Sequence, residues 1–377
     1  MGKHVSTKQI HMRIAIMLRA YDRPGGIGIY SRNIVKHLLR LDHDNQYVLL
    51  YNNPEHLGTY GDLDNVDEVC IPAANQLIWD QWLVPRELKK WNVDLVFNTK
   101  FSVPFFTRRK RVMVLHGSSW FTHPELYKPL DILYVRIFMP LYLRAADFLI
   151  SNSGLTTRDF QAIYKILDRK IETVHLAPGE AFRPIENKDV LVEIARKYNL
   201  PDRFILTVTS YDPRKNFRTL LEAFKLCRRH SPIDLVVVGK DCYNYARDYG
   251  FAGQELATTV HFPGWIVQED LPAIYSLAEV YVFPSIYEEF GIPVVEAMAC
   301  GCPVVSSSTG AIPELVGNAA LLCDPFDHEA LAANIGQMLN TAETREECRR
   351  RGLEQARAFS WDIAAEKTRE IFTSVMK

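Results

Sequence analysis

The feature that most constrains this chain is an alternation, run through twice, of short apolar strands and helical stretches. Apolar, β-branched runs at 13–19 (RIAIMLR), 47–51 (YVLLY), 94–97 (DLVF), 112–115 (VMVL), 147–151 (DFLIS) and 171–176 (IETVHL) read as strands. Helical patterns fill the gaps near 28–41, 76–91, 127–145 and 154–167. The series restarts at 204–209 (FILTVT), 234–238 (DLVVV), 259–262 (TVHF), 279–283 (EVYVF) and 303–306 (PVVS). Its helices lie near 216–230, 243–253, 269–277, 292–300 and 326–340, with two more at about 343–357 and 361–376. Near-continuous apolar strands separated by helices predict parallel sheets covered on both faces. A chain of 377 residues exceeds one ordinary core and suits two domains. Between the two series, Ala177–Asp202 has few strand signals and carries Pro178, Gly179, Pro184 and Pro201, so the linker is expected near 177–185. The expectation is α/β, with two doubly wound domains in series, a cleft between them, and ligands at the carboxyl ends of strands.

Charge and composition narrow the partners. The first 180 residues hold 23 Lys and Arg against 18 Asp and Glu, although the whole chain has a net charge of -1. A mildly basic first half suits an anionic partner such as a phospholipid surface or a pyrophosphate-linked acceptor; ordinary variation is the alternative. No nucleic-acid partner is expected. The seven cysteines are odd in number and include no C-x-x-C, and Cys300 and Cys302 have no histidine at zinc spacing. This fits reduced thiols in a cytoplasmic protein. The N-terminus is polar through His11, without an apolar signal segment. The most apolar later stretch, Leu130–Leu143, is interrupted by Arg136 and Pro140 and is too short to span a bilayer. With the basic run Arg108–Arg111 it reads either as an anionic-membrane dock at the inner face of the plasma membrane, or as a solvated loop and a core helix.

The densest chemistry lies in Pro284–Pro303, PSIYEEFGIPVVEAMACGCP, which follows a strand and opens a helix. Gly291 permits close backbone approach, and Pro293 suits the first helical turn, where no N–H is needed. The helix start near Phe290–Val294 offers N–H groups to an anion. Glu288 and Glu296 bracket the turn and suit sugar hydroxyls rather than phosphate. Arg214 and Lys215, in DPRKN after the strand FILTVT, sit where a pyrophosphate would meet a strand end. Gly25, Gly26 and Gly28 follow the first strand, and His116 ends the strand VMVL. Asp62-Leu63-Asp64 spells a metal-binding D-x-D but lies in the polar stretch GDLDNVDE, so a solvated loop and no catalytic metal are expected. A nicotinamide site is disfavoured: Ser31 breaks G-x-G-x-x-G, and the second strand ends in Tyr51-Asn52-Asn53 without an acid.

The segment 284–303 resembles the donor-site motif of glycosyltransferase family 4. The resemblance extends through Asp212–Asn216, Phe262–Leu271 (with Ile266), Ala311–Pro325 and Pro24–Tyr30. It implies the GT-B architecture, two Rossmann-like doubly wound domains facing a central cleft. An acceptor domain would occupy 1–180 and a nucleotide-sugar domain 181–358, with a C-terminal helix, 359–377, packing back on the first. It implies metal-independent transfer, with retention, of a hexose from a nucleotide diphosphate-sugar to a glycan or lipid-linked glycan in polysaccharide biosynthesis. UDP-hexose stands slightly ahead of GDP-mannose, and no cofactor is needed. Lys215 matches the family's phosphate-binding lysine. Thr209-Ser210 replaces the usual Gly-Arg, leaving Arg214 to supply that cation. His116 matches a histidine near the donor sugar, followed here by Gly117 rather than Asp, and the Gly25–Gly28 loop matches one near the donor phosphate. Glu288, with Glu289, Phe290, Gly291 and Ile292, would hold the hexose, and Glu296 the ribose. Attack would come from the leaving-group face, with the donor phosphate taking the proton. A GT-B nucleotide-sugar epimerase and a non-catalytic nucleotide-sugar or glycan-binding protein remain alternatives.

Overall fold

The computed structural model describes residues 11–23, 25–167, 170–251 and 255–377. The polar N-terminus up to residue 10, Pro24 of the glycine loop and the end of the helix expected at 243–253 lie outside the described residues. The chain forms two compact units. The first runs to Leu176 and includes Trp361–Lys377; the second is Ala177–Ser360.

The first unit is built on β1 (Arg13–Met17), β2 (Gln46–Tyr51), β3 (Val66–Cys70), β4 (Leu95–Asn98), β5 (Lys110–Leu115), β6 (Phe148–Ser151) and β7 (Ile171–Thr173). The order is β3-β2-β1-β4-β5-β6-β7, and every pairing is parallel. Strand order reverses between β1 and β4, the switch point of a doubly wound sheet. Its strand interiors are fully buried, including Ile14–Met17, Tyr47–Tyr51 and Val112–Leu115, as strands covered on both faces must be. The C-terminal helix, Trp361–Met376, belongs to this unit. It packs on the first helix, Gly26–Leu41, through Tyr30 against Trp361 and a hydrogen bond between His37 Nδ1 and Asp362 Oδ1 at 2.7 Å.

The second unit repeats the plan with β8 (Phe204–Val208), β9 (Asp234–Val238), β10 (Val260–Gly264), β11 (Val280–Phe283), β12 (Val304–Ser307) and β13 (Ala320–Cys323), in the parallel order β10-β9-β8-β11-β12-β13. Here the switch point lies between β8 and β11.

Several sequence expectations need correction. Strands β3 and β13 were not expected. Both are edge strands, partly exposed along their length, so β3 carries Asp67 and Glu68 and lacks an apolar signature. The helix Lys188–Lys197, capped by the Asn187 side chain, was also not expected; it begins after the linker expected near 177–185. Lys110 and Arg111 are not loop residues; they open β5 and lie 3.7 and 3.6 Å from Asp147. The helix expected at 243–253 is observed over Asn244–Asp248.

Candidate active site

The second unit gathers its conspicuous residues on loops after β8 and β11. After β8, Asp212 accepts a hydrogen bond from the Arg214 backbone N–H at 2.9 Å, and a short 3₁₀ turn covers Pro213–Lys215. Asn216 then takes a left-handed conformation at φ 54° and leads into the helix Phe217–Arg228. After β11, the loop Pro284–Gly291 leads into the helix Ile292–Ala299.

Backbone and side-chain hydrogen bonds join these loops. Ile286 N donates to Arg214 O at 2.8 Å, and Ala311 N to Glu288 O at 2.9 Å. Asn216 Nδ2 donates to Pro284 O at 3.0 Å, and Ser307 Oγ to Ser285 O at 2.6 Å. Gly310, at φ +64°, leaves no room for a side chain: a Cβ there would lie 2.4 Å from Glu288 O. Sequence reasoning missed both Asn216 and Gly310. A polar residue immediately before a helix was the available signal for Asn216; the contact at Gly310 is non-local and leaves none.

This scaffold sets a charged pair. Lys215 Nζ lies 2.6 Å from Glu288 Oε1, with side chains only 18% and 17% exposed, and 4.9 Å over the Phe283 ring. Arg214 turns back on Asp212, its Nη2 2.7 Å from Oδ2, which holds that carboxyl below its usual range despite burial. The cation expected to replace the missing Gly-Arg is therefore paired with its own loop's acid. Thr209 and Ser210 follow β8, with Ser210 O accepting from Tyr245 Oη at 2.9 Å.

Glu296 sits one turn into the helix Ile292–Ala299 and is buried. Tyr275 Oη donates to its Oε2 at 3.1 Å, and burial raises the carboxyl to about 7. Gly291, at φ +110°, begins the helix without a side-chain cap; a Cβ would lie 2.7 Å from Ile312 Cδ1. Phe290 is buried edge-on to Phe359, Glu289 is partly exposed, and Ile266 is buried in the segment after β10. Tyr275, the partner of Glu296, has no sequence signal to separate it from a core aromatic.

The first unit carries the other expected residues. Gly25, at φ 81°, begins the helix Gly26–Leu41 without a side-chain cap. Gly28 is required inside the chain, because a Cβ would lie 1.7 Å from Arg23 O. Gly25 and Gly26 have open space around them. His116 follows β5 and is buried, its Nε2 2.7 Å from Thr99 O. A carbonyl only accepts, so Nε2 carries the proton and Nδ1 is the basic nitrogen. Burial pushes the imidazole down to about 4, so it is neutral at pH 7. Asp62 and Asp64 are exposed in turns before β3.

Two family models match this chain: Glycosyltransferase Family 4 over residues 24–177 and Glycosyl transferases group 1 over residues 193–355. It is 32% identical over 264 residues to O-antigen chain mannosyltransferase B from Escherichia coli, covering 69% of each chain. The chain belongs to glycosyltransferase family 4. This glycosyltransferase is also 28% identical over 242 residues to the serotype-specific mannosyltransferase WbdA of Escherichia coli. That match covers 62% of this chain and 29% of WbdA. The structure of HepE from Anabaena in complex with UDP and glucose superposes with a TM-score of 0.75, over 97% of this chain and 100% of that one. At 19% identity the glycosyltransferase shares its GT-B fold.

Proposed function

We propose that this glycosyltransferase moves mannose from a nucleoside diphosphate donor to a glycan or lipid-linked glycan acceptor, with retention and without a metal ion. The observation that carries the reading is the Lys215–Glu288 pair, which joins the loops at the carboxyl ends of β8 and β11. Lys215 and the helix start at Gly291 take the diphosphate, Glu288 the hexose, and ionised Glu296 the ribose hydroxyls. Arg214 contributes only if Asp212 releases it. His116 and the Gly25–Gly26 backbone belong to the acceptor-side unit. Sequence alone tilts to UDP-hexose; the mannosyltransferase name of the Escherichia coli relative matched over 69% of each chain tips the donor to GDP-mannose.

A panel of UDP-glucose, UDP-galactose and GDP-mannose tests the donor, since a ligand that binds only the folded state raises its melting temperature. GDP-mannose is expected to give the largest shift, and nuclear magnetic resonance of the product is expected to show the donor's anomeric configuration. EDTA is expected to leave turnover unchanged; loss restored by manganese or magnesium would remove the metal-free assignment.

Peripheral membrane contact is proposed on a separate observation. In the helix Pro129–Ala145, Leu130, Leu133, Ile137 and Leu141 line one face and are 48–78% exposed. Arg136 and Arg144 are exposed on the same helix. Apolar side chains flanked by arginines suit an anionic bilayer surface. Among the described residues, no helix is long and apolar enough to cross a membrane.

A further inference from the structure

The first unit contains a second polar constellation that the donor reading does not use. It lies at the β1/β4 switch point, where a doubly wound sheet offers a ligand crevice beyond the carboxyl ends of its strands. Arg19 and Arg23 follow β1, and Lys100 follows β4. These three cations line an open recess together with Asp80, Trp79 and Ser102.

The recess has an excess of positive charge. Among the described residues none of the three cations makes an ion pair. Arg19 donates hydrogen bonds to neutral oxygens: Asn52 Oδ1 at 2.7 Å, Ala73 O at 2.8 Å and Ala74 O at 2.8 Å. Those use three of the five guanidinium donors. Lys100 is half-buried, with its ammonium 4.8 Å over the Phe101 ring. Burial and the neighbouring Arg23 pull it down to about 8. Arg23 is exposed at the rim. The single acid, Asp80, is itself buried and engaged by Ser102 Oγ at 2.9 Å and Gln76 Nε2 at 3.3 Å. It stands on a π-helical turn, Trp79–Leu83, which breaks an otherwise regular helix at this point; such turns cluster at functional sites.

We infer that this recess is an oxyanion subsite on the acceptor side, built to take a phosphate or diphosphate group of the acceptor through Lys100, Arg19 and Arg23. Three cations against one committed carboxylate match a multiply charged phosphate better than a neutral sugar. The inference rests on the glycosyl-transfer reading, in which the first unit receives the acceptor, and it names that acceptor's chemical class.

Calorimetric titration of the full chain with inorganic pyrophosphate at low ionic strength tests the site. Lys215→Gln serves as background, because it removes the donor-loop cation. Pyrophosphate binding is expected to persist in Lys215→Gln and to weaken at least tenfold when Arg23→Gln or Lys100→Gln is added. Arg23 is exposed, so its replacement does not endanger folding. Loss of all pyrophosphate binding in Lys215→Gln alone, or indifference to Arg23→Gln and Lys100→Gln, overturns the subsite. A second arm compares transfer onto one glycan carried on a diphosphate-linked or an uncharged aglycone. The diphosphate acceptor is expected to have a KM at least tenfold lower, and Arg23→Gln to erase the difference while kcat holds. Equal KM values in the wild type, with pyrophosphate still bound, would make the recess a site for free anions and overturn its acceptor role. Failure of transfer with every donor would count against the proposed function, and the titration would still decide the recess.

Discussion

Glu296 is a carboxyl group held near neutrality in its protonated form. Among the described residues, Tyr275, Tyr281 and the Cys300 thiol interact with it electrostatically, and all are pushed above their ordinary values by burial. Burial raises Glu296 from 4.5 to about 7, so the folded chain keeps a proton that the unfolded chain releases. Stability on this account is greatest below the unfolded value, falls as pH rises towards 7, and is level above it, a difference of about 3 kcal/mol. Glu296→Gln is expected to gain up to that much at pH 8 and little at pH 4.5, measured by urea unfolding. Ribose hydroxyls favour the ionised form, so nucleoside diphosphate affinity is expected to rise from pH 6 to 8 in the wild type and stay flat in Glu296→Gln. Flat affinity in both would take the ribose away from Glu296. Lys215 and Glu288 separate differently. In Lys215→Ala the nucleoside diphosphate is expected to bind about 10–100-fold more weakly, the worth of a hydrogen bond to a charged group. In Glu288→Gln the lysine is released, so that affinity is expected to hold or rise while turnover of the full donor falls. Equal loss of nucleotide affinity in both variants would contradict the division.

At the scale of elements, the donor loop is a rigid object because other strand ends grip it. Its carbonyls at Pro284, Ser285 and Glu288 accept from Asn216, Ser307 and Ala311 respectively. Gly310→Ala attacks that grip without touching a charged side chain. The new Cβ meets Glu288 backbone at 2.4 Å and must adopt φ +64°. A loss of about 1–3 kcal/mol of stability is expected, with turnover falling more than nucleotide affinity because Glu288 moves and Glu296 does not. Unchanged kcat in a folded Gly310→Ala protein would show that the loop position is not critical. Elements of this kind divide sharply in legibility. The helix Ile292–Ala299 was readable from Gly291, Pro293 and the strand before it, because its signals are local. The edge strands β3 and β13 were not, since half-exposed pairing imposes little apolar pattern. Lys110 and Arg111 looked like a loop for the same reason: charge at the head of β5 is allowed where the strand emerges beside Asp147. The Lys215–Glu288 pair joins residues 73 apart and becomes visible only when the β8 and β11 loops are side by side.

For the whole molecule, the first half's positive balance has two separate destinations. Part of it lies at the β1/β4 recess in Arg19, Arg23 and Lys100, and part in exposed side chains such as Arg108, Arg136 and Arg144. The run Arg108–Arg111 looked like one patch in sequence, but Asp147 engages two of its four cations, and Arg109 Nη2 donates to Asn92 Oδ1 at 3.3 Å. A membrane role therefore has to rest on the exposed helix face. Each cation near an anionic surface contributes about 1 kcal/mol, decaying within a Debye length, while buried leucines add an apolar term that salt does not screen. Co-sedimentation with vesicles of anionic phospholipid is expected to pellet the wild type at low ionic strength. Binding is expected to weaken but persist at high ionic strength. Leu133→Ser with Ile137→Ser is expected to remove the salt-resistant part, and Arg136→Gln with Arg144→Gln the salt-sensitive part. Donor affinity is expected to be unchanged in both, because their side chains face solvent in the first unit and the donor loops belong to the second. Absence of the wild type from the low-salt pellet would leave the leucine row without a membrane to meet and would end the proposal.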